Sequence, residues 1–251
     1  MHRPLLLALF GCTLLAASLP SCKKDAEDTA SPTAPSAPSA RSTLALAHHV
    51  DGAPLEYDTL RYANEAGHGY SVTRLEYYLS ALTLIGSNGT SDHVIAGPWY
   101  IHGANGSSID LGVLPAGTYA GATVLLGLPP DLNQTGALPN TMENLNMAWP
   151  DMMGGGYHFL KFEGHFIHNG QPNGFAMHLG RDANLPTCAM AQPFTLDGTA
   201  DTLTLRFNLN EVFRTPHTYD LPSGNMSMGS MALMGLLRDN CADAFTLVHT
   251  P

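Results

Sequence analysis

The chain has 251 residues, of which 13% are charged and 44% apolar, and a formal net charge of −10. No basic cluster offsets that balance, so a polyanion such as DNA or RNA is excluded as a partner. An acidic chain carrying 12 histidines is better suited to a cation.

The first residues read as an export signal: Arg3 near the start, an apolar run over 5–19 too short to span a bilayer, and Leu19-Pro20-Ser21-Cys22 where a lipobox would stand. The expectation is a lipoprotein signal peptide over 1–21, a lipid on Cys22, and a mature protein anchored to the outer membrane without crossing it, periplasmic or surface-facing. A plain secretory peptide ending near Ala16 or Ala17 is the alternative. Lys23-Lys24-Asp25, directly after the cysteine, favours the lipoprotein. Residues 22–42 are rich in Ser, Ala and Pro and lack aromatics, so they read as a tether that cannot bury enough surface to fold. Residues 43–251 then form one domain.

Beyond the leader, Gly and Pro punctuate short β-rich runs, which predicts an antiparallel β-sandwich with one short C-terminal helix. Leu44 to Val50 alternates and ends at Asp51-Gly52, a hairpin signal, which puts His48 on the face of Leu44, Leu46 and Val50 and turns His49 away. Further strands are expected over 78–85, 99–102, 117–126, 157–162, 175–179, 203–209 and 245–248. A tight reversal falls at Ser87-Asn88-Gly89, and His165 to His168 reads as a solvated loop pair. The helix is expected over 230–240, with Leu233, Leu236 and Leu237 buried, Met234 beside them, and Met231 and Arg238 along the solvent edge.

Candidate chemistry rests on soft and imidazole donors. Imidazole is the common protein ligand of copper and zinc, and thioethers select Cu(I). No H-E-x-x-H, C-x-x-C or G-x-S-x-G occurs, which argues against the common zinc hydrolases and against serine nucleophiles. Gly154-Gly155-Gly156 precedes a strand and not a helix, so it reads as a bend and not a phosphate cradle. Met231 and Met234 read as core filler, and Met226 and Met228 stand open between filler and donor. Of four cysteines, Cys12 leaves with the signal and Cys22 is lipidated. Cys188 and Cys241 are expected to pair as a disulfide, contributing on the order of 4 kcal/mol. A pair of thiolate ligands is the alternative.

Several short elements in fixed order carry a resemblance: Tyr62-Ala63-Asn64, Leu75 to Ser80, Pro115 to Tyr119, Leu126 to Pro129, Met147-Ala148-Trp149, Gly156-Tyr157-His158-Phe159-Leu160, Glu163-Gly164, His178-Leu179-Gly180 and Asp239 to Phe245. In these the domain resembles the MbnP-like family of exported copper-binding proteins. The resemblance implies a mainly β copper-binding domain, with His48 and His178 as the best ligands and His249 as a third choice. Some members use two histidines and a kynurenine made from tryptophan by a di-haem partner enzyme. There the tryptophan stands two residues before a ligand histidine, whereas here Trp99 is followed at that spacing by Ile101 and Trp149 by Asp151.

The expected protein therefore binds copper for acquisition, delivery or buffering outside the cytoplasm, without turnover. Its partners are the copper ion, a di-haem enzyme or copper transporter, and a membrane reached only through the lipid. A metal-free adhesion or ligand-binding surface lipoprotein is the alternative.

Overall fold

The structure, a computed structural model, describes residues 40–251; the expected signal peptide, Cys22 and most of the expected tether lie outside them. The strands in chain order are β1 (Ser42–Val50), β2 (Ala53–Pro54), β3 (Tyr62–Ala63), β4 (Gly69–Ser87), β5 (His93–Ile95), β6 (Trp99–His102) and β7 (Ser108–Gly112). They continue with β8 (Gly117–Leu126), β9 (His158–His168), β10 (Gln171–Gly180), β11 (Thr187–Met190), β12 (Phe194–Leu196), β13 (Thr202–Asn208) and β14 (Phe245–Thr250). Two helices interrupt them, α1 (Met142–Asn146) and α2 (Met231–Asn240). Neither is long and apolar enough to cross a membrane.

The strands form two sheets. The smaller runs β14-β13-β1-β2 with β7 also on β1; the larger runs β10-β9-β4-β8-β11, with β3, β5 and β6 on β4 and β12 on β8. The protein is mainly β, as its turn punctuation predicts. One pair departs from the antiparallel pattern, since β1 runs parallel to β13. The alternation of β13 works as expected: Leu203, Leu205 and Phe207 are fully buried, as is Leu209 just beyond. Phe207 stacks on Phe245 at 4.5 Å and meets Tyr77 of β4 edge-on at 5.6 Å, joining the two sheets through aromatic packing.

Two readings of local structure are corrected. His165 to His168 is not a loop but the end of β9, because Asn169 and Gly170 (φ 52° and 72°) make the two-residue turn whose left-handed pair matches strand twist. The strand expected over 78–85 is the second half of the 19-residue β4, whose bulges let β9 pair with residues 70–77 and β8 with 79–87. Helix α2 starts where predicted, with Ser230 capping the Leu233 amide. Its buried residues are Met234, Leu237 and Asn240, while Leu233 and Leu236 are partly exposed. Asn240 is tolerated inside because its side chain bonds the backbone of Val212 and His217.

Candidate metal centre

The three histidines singled out by sequence occupy three separate places. Tyr77 and Glu76 are neighbours on β4 and so face opposite ways. Tyr77, opposite Leu160, points between the sheets, where its hydroxyl shares a hydrogen bond of 2.7 Å with His48 Nε2. Glu76, opposite Lys161, which is itself opposite His178, shows the outer face. His48 and His178 therefore sit on opposite faces of the larger sheet. His249, on β14, bonds the buried Asp201 at 2.6 Å at the far end of the smaller sheet. The structure does not bring the three together.

Around His178 it assembles another set. The register of β9 and β10 shifts between Leu179 and Gly180, so Gly180 opposes His158 and not Phe159. That bulge turns His158 to the outer face beside His178, and the two rings meet edge-on with centroids 5.0 Å apart at 89°. Trp149 also packs against His158, with ring centroids 4.6 Å apart. His158 stands in the sequence within the Gly156-Tyr157-His158-Phe159-Leu160 element but is not among the expected ligands; strict alternation from Leu160 and Phe162 would turn it inward, and only the bulge reverses that.

Hydrogen bonds decide which nitrogen of each ring is free. The Met147 carbonyl accepts both the His158 backbone N–H at 2.7 Å and the ring Nδ1–H at 3.1 Å. His178 donates Nε2–H to Glu163 Oε1 at 2.9 Å. The remaining atoms, His158 Nε2 and His178 Nδ1, are buried and have no hydrogen-bond partner. Two lone pairs are thus held away from water with their tautomers fixed by a carbonyl and a carboxylate, the usual surroundings of metal-binding imidazoles. Burial, together with Lys161 and His178, depresses His158 to about 3, so its ring is neutral at ordinary pH.

A compensated charge layer supports the pair. Arg74 donates to Glu76 at 2.8 Å and to Glu163 at 3.3 Å, Asn146 donates to Glu76 at 3.1 Å, and Lys161 donates to the Asn146 carbonyl. Two cations offset two carboxylates, as buried charge requires. The hydrogen bond from His178 holds the Glu163 carboxyl below its usual range, against desolvation. The loop 127–157 closes over this layer and turns back at Gly154, Gly155 and Gly156, all with positive φ (109°, 68° and 85°), a conformation open mainly to glycine. That return lets the Trp149 amide donate to the Gly156 carbonyl at 2.9 Å, and the indole Nε1–H bonds the Met153 carbonyl at 3.3 Å.

The Trp149 ring rests on Gly180, where an added Cβ would fall 2.5 Å from an indole carbon. A Gly180→Ala variant is expected to push the indole off His158 at a cost of about 1–3 kcal/mol in stability. Tryptophan emission and urea melting check it, and unchanged emission would separate Trp149 from the cluster.

The expected Cys188–Cys241 disulfide is not what the structure holds. Both are buried free thiols, with Cys188 Sγ donating to the Cys241 carbonyl at 3.1 Å, and burial raises both thiols far above their usual range. As protonated thiols they are poor metal ligands. No group of three or more His, Cys, Asp or Glu side chains suited to a metal occurs among the described residues. Zinc, which takes four donors in structural sites, would find only two in the imidazole pair, whereas Cu(I) accepts two.

Fold and site together define a β-sandwich protein with a buried pair of imidazoles on the outer face of its larger sheet. The family model for MbnP matches residues 39–231, and the chain belongs to the MbnP family. Among solved structures, MbnP from Methylosinus trichosporium superposes with a TM-score of 0.51 at 13% identity, covering 84% of this chain and 99% of that one, a likeness of fold. No curated protein matches the sequence.

Proposed function

We propose that the protein binds copper, as Cu(I), between His158 Nε2 and His178 Nδ1, and serves in copper acquisition, delivery or buffering without turnover. The observation that carries this is the pair of buried, unpartnered nitrogens on neighbouring rings, each with its second nitrogen already engaged. Leaving such atoms unsatisfied costs free energy that a bound ion would return. Membership of the MbnP family supports the copper reading. Export with a lipid on Cys22 remains part of the proposal, on the strength of the leader sequence alone.

Trp149 stands against His158, so spatial contact supplies the tryptophan–histidine neighbourhood that spacing along the chain does not. It is the indole that lies against this site, and it is buried there. Intact mass and metal content of protein isolated from copper-supplemented cells test lipid, tryptophan state and ion together. Metal-free protein that also fails to take up Cu(I) anaerobically overturns the reading.

One observation favours the ligand-binding alternative: an open cleft of about 740 Å³ lined by Tyr78, Tyr100, His102, Leu138, Pro139 and Glu143. Its size and aromatic walls suit a small organic molecule. Calorimetry without heat on Cu(I) addition would favour that role.

A further inference from the structure

Methionine ordinarily fills cores, yet Met226 is 58% exposed on a segment bonded to the backbone of His178. The segment carrying Met226 and Met228 is held directly on the site. Ser227, fully buried between them, accepts the His178 backbone N–H at 2.6 Å and donates its hydroxyl to the His178 carbonyl at 2.7 Å. A bridge between Ala176 and Met226 extends this register. From the other side comes Met153, whose carbonyl takes the Trp149 indole N–H and whose methyl approaches Gly229, one residue past Met228. Met153 and Met228 are both partly buried against the core.

We propose that Met226, Met228 and Met153 form a thioether port that captures Cu(I) from outside and passes it to His158 and His178; this rests on the copper reading above. The three residues range from the exposed Met226 to the partly buried Met228 and Met153, on the two segments that bond the His178 backbone and the Trp149 indole. Thioethers bind Cu(I) through a soft lone pair without deprotonation, and they withstand conditions that oxidise thiols to disulfides. The transfer is ligand exchange: a sulfur–copper bond breaks as a nitrogen–copper bond forms, and no electron moves. A weakly held ion close to the imidazoles raises its effective concentration there, so the port acts on the rate of loading and not on final affinity.

The test uses Met226→Leu/Met228→Leu, which keeps volume and hydrophobicity while removing sulfur. Anaerobic uptake of Cu(I) from a chromophoric chelator is expected to slow by about tenfold or more, with equilibrium stoichiometry unchanged. In parallel, Ag(I), a soft ion of the same charge, is added to His158→Ala/His178→Ala protein carrying ¹³C-methyl methionine. The methyl signals of Met226, Met228 and Met153 are expected to shift although the imidazoles are gone. Silent methyls, or uptake as fast as in the parent, overturn the port. If the parent itself takes up no Cu(I), the copper reading fails instead, and methyl shifts with Ag(I) would still show a free-standing thioether site.

Discussion

His158→Ala/His178→Ala is expected to abolish stoichiometric Cu(I) binding, whereas His48→Ala/His249→Ala is expected to leave it intact. The reasoning is geometric. Buried imidazole nitrogens without partners occur at His68, His102, His158 and His178 among the described residues, and the rings of His158 and His178 are in contact, 5.0 Å apart. The His48 ring is instead hydrogen-bonded to the Tyr77 hydroxyl between the sheets, and His249 is committed to Asp201. Competition against a chelator of known affinity measures both variants. Glu163→Gln tests the support: with the carboxylate gone, His178 loses the acceptor that fixes its tautomer, and affinity is expected to fall about 10- to 100-fold. Copper retained by the first double variant and lost by the second would return the site to the residues that sequence favoured.

Acidification is expected to destabilise the fold through His48. Desolvation, with His49 adding to it, lowers its pKa from the ordinary 6.5 to about 4. A histidine held neutral in the folded state binds its proton more readily when unfolded, so its contribution is fully present above about pH 6.5 and is lost as pH falls toward 4. Between about pH 7 and pH 4.5 this amounts to on the order of 2 kcal/mol. His48→Gln removes the titration, so urea melts of the variant should lose that much less stability over the same interval. Equal losses in parent and variant would assign the acid sensitivity elsewhere.

The fold was largely legible because its strands carry period-two alternation and its turns carry Asp-Gly and Asn-Gly pairs. β6 and β8 lie where those signals put them, as does the start of α2. His165 to His168 escaped because the pair spaced by three suggested a turn, when the left-handed Asn169-Gly170 that closes the hairpin was the stronger signal. The helix stripe differed because tertiary contacts satisfied Asn240 internally and left Leu233 and Leu236 at the rim.

By itself, the order of residues determined the sheet-rich architecture and the family, since each depends on local pattern or on motifs in sequence order. It could not determine the partner of His178. Alternation along 157–162 places His158 inside and Phe159 outside, and only the displaced pairing of Gly180 with His158 exchanges them. A bulge is set by how two strands, a glycine and the overlying Trp149 pack in three dimensions, and a one-residue slip reverses every face beyond it. The same packing separated His48 from His178, because a sheet has two sides and chain position does not say which one a second sheet will cover.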